Sequence, residues 1–190
     1  MAELHTFAGG GRISIYERTM LFEWLMLGLV LAGIWWHGSS LLTVLGQRWS
    51  SVSRFLRDLG IGVVFLIVAM MLGSVLPHGD DHVARLILPQ GRTEMWVWVT
   101  LSLTAGICEE AIYRGYLQRQ FISVTTSVPV GIVLSAAAFA GAHAYQGWQM
   151  VLGIGVLGAI AGTIAYWRKS VRPGMIEHFL QDMLAGLVGH

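Results

Sequence analysis

Charge and cysteine are both scarce in this chain. Only 12% of its 190 residues are charged, about half the ~25% of an ordinary soluble domain. The formal net charge is +1, so there is no clustered Lys/Arg footprint of the kind that binds nucleic acid. A single cysteine, Cys108, excludes an intramolecular disulfide framework and a Cys-based zinc ribbon. A lone cysteine among apolar residues reads as a small hydrophobe. The N-terminal segment, residues 1–19, lacks the basic–apolar–small order of a cleaved signal peptide, so the first apolar run is expected to be retained. Neither a long linker nor a low-complexity tract interrupts the chain, which predicts one integral membrane domain over residues 1–190.

What is present is hydrocarbon. Hydrophobic residues make up 55% of the chain, eight of them Trp, and the mean hydropathy is +0.63. A membrane helix needs roughly 20 apolar residues, and six runs approach that: Met20 to Trp36, Leu59 to Leu76, Met95 to about Cys108, Val128 to Tyr145, Trp148 to Trp167, and Pro173 to Gly189. The expected fold is therefore all-α, a polytopic bundle of about six transmembrane helices around a polar cavity. Pro77-His78-Gly79-Asp80-Asp81 ends the second run, and Arg172-Pro173-Gly174 opens the last. Pro129 falls where a first helical turn tolerates its missing N–H. Gly158 and Gly162 are spaced to let a neighbouring helix approach closely, an ordinary packing feature.

Between the third and fourth runs, Arg114 to Thr126 mixes Tyr113, Tyr116, Leu117 and Phe121 with Arg114, Gln118, Arg119 and Gln120. This predicts a helix leaving the membrane or lying on its surface. Six spans put the loop of Arg48, Arg54 and Arg57 on one side with the loop Arg168-Lys169-Arg172. The positive-inside rule favours that side as interior, with the N-terminus outside.

Ionisable side chains inside such runs are functional-site hypotheses by default. The uncharged stretch from Met95 to Cys108 is followed directly by Glu109-Glu110-Ala111-Ile112-Tyr113-Arg114. On a helix Glu110 and Arg114 are i and i+4, and can pair. Glu109 is rotated by about 100° and is left uncompensated unless it finds another partner. His143 lies on the fourth run, one turn after Phe139, which can pack under its imidazole. His178 and Asp182 are again i and i+4, a spacing that suits a carboxylate orienting an imidazole or two ligands converging on one point. Apolar spans offer few polar partners, so a shared internal cavity accounts for the three sets more simply than three separate contacts. The string His78-Gly79-Asp80-Asp81-His82 beside Pro77 reads as a solvated loop.

Glu-Glu-x-x-x-Arg, then Phe-x-x-x-His, then His-x-x-x-Asp resembles the motif order of the CPBP intramembrane proteases, the CAAX protease and bacteriocin-processing family that includes the type II CAAX prenyl endopeptidases. Arg114-Gly115-Tyr116-Leu117 and the Gly-rich fifth run look like text of the same family. The resemblance runs from Glu109 to Asp182 within a core of residues 95–189. It implies a membrane-embedded endopeptidase acting on a membrane-associated peptide or protein, prenylated and lipid-anchored ones included, in a bacterial-type cell membrane. Carried over by position, Glu109 activates water, His143 holds it, and His178 with Asp182 stabilises the oxyanion. Glu110 and Arg114 support the site. An ionised Asp182 has no proton to donate, so it must be protonated or act by orienting His178.

No His-Glu-x-x-His is present, the spacing that sets two metal ligands and a base on one helix. The expected chemistry needs no cofactor. The alternative is zinc held by Glu109, His143 and His178, since such sites take three protein ligands and a water. Two other classes compete: a non-proteolytic scaffold, immunity or regulatory protein on the same core, and a proton-coupled transporter. No inverted repeat supports the transporter.

Overall fold

The computed structural model describes residues 11–38, 40, 42–46, 48–75, 83 and 86–188, and over these it is all-α. The His78-Gly79-Asp80-Asp81-His82 string and residues 1–10 lie outside the described residues. In chain order the helices are α1 (Gly11–Trp36), the short α2 (Leu42–Leu45), α3 (Val52–Val75), α4 (Arg92–Glu109), a π-helical segment (Glu110–Leu117), α5 (Gln118–Thr125), α6 (Val128–Ala142), α7 (Trp148–Arg168) and α8 (Arg172–Val188).

The helices are inside out relative to a soluble bundle. On α1, Leu21, Phe22, Trp24, Leu25, Leu29, Trp35 and Trp36 are all exposed. Exposed apolar area on this scale marks a membrane-facing surface. The buried residues of α1 are Tyr16, Glu23, Leu27 and Ile34, which fall within about 40° of one another around the helix axis. That narrow stripe faces the bundle, and a carboxylate sits in its middle. The helix begins at Gly11 rather than near Met20, and Tyr16 is already buried. The segment before Met20 is therefore helical from Gly11 on.

Four helical stretches are long and apolar enough to cross a membrane: Gly11–Trp36, Val52–Val75, Arg92–Thr125 and Trp148–Arg168. The apolar α6 is shorter, about 22 Å by helical rise against ~30 Å of hydrocarbon. The sixth stretch, α8, packs against α3 and α4 and carries Glu177, His178 and Asp182. All six expected runs are helical over their described residues, except that the fourth ends at Ala142 so that His143 caps it rather than lying within it, and the chain is an integral membrane protein.

The stretch Arg92–Thr125 departs from expectation. It is 34 residues of unbroken helix, so Arg114 to Thr126 is not a separate surface segment. Arg114 and Gln118 are 4% and 2% exposed. Of the polar residues that suggested an interface, Arg114 and Gln118 are turned inward, while Arg119 and Gln120 are exposed. Gly158 and Gly162 of α7 make this possible. A Cβ on Gly158 would lie 3.1 Å from Arg114 Nη2, and one on Gly162 would overlap Gln118 Oε1. Gln118 Nε2 donates to the Gly162 carbonyl at 2.9 Å. The small-residue pair packs helices closely, as expected, and what it admits is polar.

The loops carrying Arg48, Arg54, Arg57 and Arg168-Lys169-Arg172 meet at one end of the bundle. Gly46 pairs with Ser170 through backbone. Buried Asp58 accepts from Arg168 Nη2 at 2.9 Å and from Trp49 Nε1 at 3.0 Å. Arg119 donates to the Thr43 carbonyl at the same end. At the other end Arg12 approaches Glu94 at 3.9 Å, and Tyr16 donates to the Ile87 carbonyl at 2.6 Å.

Candidate active site

The π-helical segment begins at Glu110, directly after Glu109. A π turn is a rare distortion, and it recurs at functional sites. Here the Gln118 N–H bonds five residues back to the Tyr113 carbonyl, which also accepts from Ser135 Oγ of α6 at 2.7 Å. The wider turn is thus held by a hydroxyl from a neighbouring helix.

Glu110 and Arg114 form the expected ion pair, Nη1 to Oε1 at 2.9 Å, with side chains only 3% and 2% exposed. The guanidinium also lies 4.0 Å from the centroid of the Phe139 ring. Phe139 is a hub. Its ring packs against His143 at 4.7 Å, Tyr113 at 5.1 Å and His178 at 6.0 Å between centroids. The motif phenylalanine therefore supports both histidines and the arginine together.

Glu109 turns away from that pair. Its Oε2 lies 4.0 Å from His143 Nε2 and 3.8 Å from His178 Nε2. These distances exceed a hydrogen bond and are of the length that a water bridges. His143 Nδ1 is 2.9 Å from the Phe139 carbonyl. A carbonyl only accepts, so in a neutral imidazole Nδ1 carries the proton and Nε2 presents its lone pair towards Glu109. His178 Nε2 is also 3.5 Å from Asp182 Oδ2, and its Nδ1 is 3.8 Å from Glu110 Oε1. All six residues singled out by motif come together, from α4, the π segment, α6 and α8. Asp182 is the most open of the set, at 33% side-chain exposure.

Two supports escaped the sequence reading. Trp98 Nε1 donates to the backbone carbonyl of Asp182 at 2.8 Å, tying α8 to α4 beside the site. Gly174 of α8 leaves room for Glu110, because a Cβ there would stand 2.5 Å from its Oε2. Two carboxylates also went unassigned. Glu177, next to His178, is 6% exposed, and Glu23 of α1 is 8% exposed. Glu23 lies within electrostatic reach of Glu109, His178 and Asp182. The only sequence signal for either was a charge inside an apolar run. Cys108, immediately before Glu109, is fully buried in an apolar cluster with Leu27, Ile34, Val44 and Ala111. It packs as a hydrophobe.

Among the described residues, no three His, Cys, Asp or Glu side chains are arranged to hold a metal ion. Glu109, His143 and His178 converge, with Glu109 Oε2 4.0 and 3.8 Å from the two Nε2 atoms, but not as a ligand set.

Helices long enough to cross a membrane, with a glutamate facing two histidines between them, define a membrane protein with a buried polar site. Residues 91–184 match the family model described as type II CAAX prenyl endopeptidase Rce1-like, and through this C-terminal half the chain belongs to that family. The matched stretch holds Glu109, Glu110, Arg114, His143, His178 and Asp182; α1 and α3 lie outside it. No curated protein and no solved structure matches the chain.

Proposed function

We propose that the protein is an intramembrane endopeptidase that hydrolyses a peptide bond in a membrane-associated substrate by direct addition of water. The observation that carries this reading is the placement of Glu109 Oε2 opposite both His143 Nε2 and His178 Nε2.

A water lying between Glu109 and His143 donates one hydrogen to the carboxylate and the other to His143 Nε2. Its lone pair is then free to face a carbonyl carbon. As the new C–O bond forms, one water O–H bond breaks and its proton passes to Glu109. The carbonyl π electrons move onto oxygen, where His178 donates through Nε2–H. A donor fixed in place before the charge appears is worth more than a mobile one. Asp182, one turn further along α8, flanks His178 Nε2 with its Oδ2 at 3.5 Å. Collapse of the tetrahedral intermediate breaks the C–N bond, and Glu109 returns its proton to the leaving amine. The products are a carboxylic acid, which then loses its proton to water, and a free amine, with no covalent enzyme intermediate. Glu110, neutralised by Arg114, supports His178 from its Nδ1 side. The water-excluding wall is Phe139 with Tyr113.

The test is cleavage of fluorogenic, membrane-anchored peptides, lipidated ones included, by the purified protein in detergent. Glu109→Gln keeps the shape and removes the base. Activity lost in that variant and unchanged by a zinc chelator is the expected result. Full activity in Glu109→Gln refutes the base. Loss with chelator that zinc restores refutes the metal-free scheme. Absence of cleavage across the panel moves the protein to the non-proteolytic class.

A further inference from the structure

A peptide that enters this cavity brings its own backbone N–H groups to membrane depth, where each unpaired one costs several kcal/mol by roughly the same reasoning that governs spanning segments. Many proteins that bind extended peptides offer a strand edge. The described elements here are helices joined by short connections, with no strand edge among them, and most helical backbone groups are already paired within the helix. Buried side-chain oxygens without a partner are therefore the acceptors to look for.

Four buried carboxylate oxygens have no hydrogen-bond partner among the described residues: Glu23 Oε2, Glu109 Oε2, Glu110 Oε2 and Glu177 Oε1. Glu109 is occupied by water activation, and Glu110 is neutralised by Arg114. Glu177 lies among His178, Glu110, Asp182 and Arg114, within the family-matched stretch. Glu23 differs. It comes from α1, outside the family-matched stretch, and its electrostatic neighbours are Glu109, His178 and Asp182. It sits in the middle of the only stripe that α1 turns inward, flanked by Phe22 and Trp24, which are 63% and 49% exposed.

We propose that Glu23 is a substrate-contacting residue, whose buried and unpaired carboxylate accepts a hydrogen bond from a backbone N–H of the peptide lying against Glu109. The proposal rests on the reading of this cavity as a peptide-binding one. It makes the N-terminal span part of the binding site rather than a passive anchor. The contact holds the chain in register while Glu109 and the histidines act on the neighbouring carbonyl.

The experiment separates binding from cleavage. In a Glu109→Gln background, reconstituted in lipid nanodiscs, fluorescein-labelled membrane-anchored peptides are titrated by anisotropy. Glu23→Leu suits a membrane helix, and its folding is checked by thermal unfolding. Losing the hydrogen bond should weaken binding roughly 2- to 10-fold. Glu23→Gln keeps an acceptor and should recover most of that loss. A series of peptides in which each amide in turn becomes an ester identifies the donor. One ester should weaken binding to the Glu23 protein and have no effect on Glu23→Leu. A purely structural role for Glu23 cannot produce that pattern. Equal binding by Glu23→Leu, an ester series that weakens both proteins alike, or no saturable binding to any peptide overturns the proposal. Cleavage is measured separately with Glu109 intact. The ester pattern without cleavage leaves the Glu23 contact standing and removes the proteolytic reading.

Discussion

Replacing Arg114 by Leu tests the support of the site most directly. The substitution leaves Glu110 as a buried carboxylate with its side chain 3% exposed and its guanidinium partner gone. Breaking one half of a buried ion pair typically costs about 3–5 kcal/mol, because the remaining charge stays desolvated without compensation. The lost guanidinium contact with the Phe139 ring, at 4.0 Å, adds about 0.5–2 kcal/mol. Two smaller effects oppose these: Leu is a good helix former, and its burial is favourable. The charge term is the larger, so the net loss should stay near 3–5 kcal/mol. Replacing both partners, Glu110→Leu with Arg114→Leu, removes the orphan charge and should recover much of the stability. Neither variant should retain activity, since His178 loses its Glu110 neighbour or that neighbour loses its anchor. Equilibrium unfolding in mixed micelles, run as a double-mutant cycle, reads the coupling directly. A single-variant cost below about 1 kcal/mol, within the range of an exposed pair, would refute the reasoning.

Gly174→Ala should gain about 1 kcal/mol of helix propensity and lose about 1–3 kcal/mol by crowding Glu110 Oε2, which its Cβ would approach at 2.5 Å. The expected outcome is a slightly lower thermal midpoint with a much larger fall in kcat; an active, stabilised variant would show that Glu110 has room to move. Asp182→Asn keeps a group able to hydrogen-bond His178, while Asp182→Leu does not. Cleavage should survive the first change within about tenfold and be lost in the second; equal loss in both would mean that the charge of Asp182, rather than its hydrogen bonding, is required.

Features that depend on near neighbours along the chain were legible in advance. The 100° rotation per residue sets Glu110 on Arg114 and His178 on Asp182, and both pairs are seen. The same rotation turns Glu109 away from Glu110, towards the histidines. Phe139 under His143 followed from one helical turn. Run length and composition were enough for an all-α membrane bundle.

Tertiary packing decided the rest. The polar face of residues 114–125 reads as interfacial because a sequence does not say what lies opposite it. Gly158 and Gly162 lie opposite, and they turn Arg114 and Gln118 inward. The π turn at Glu110–Leu117 is held partly by Ser135, from another helix, so no local pattern announces it. Glu23 is far from Glu109 in sequence and on a helix whose neighbouring side chains face lipid. Only the packing of α1 against the π-bearing helix brings the two carboxylates within reach of one another. Periodicity thus determined which side chains share a face of one helix. Which faces meet was settled by close packing between helices, where small residues and buried polar groups select one arrangement.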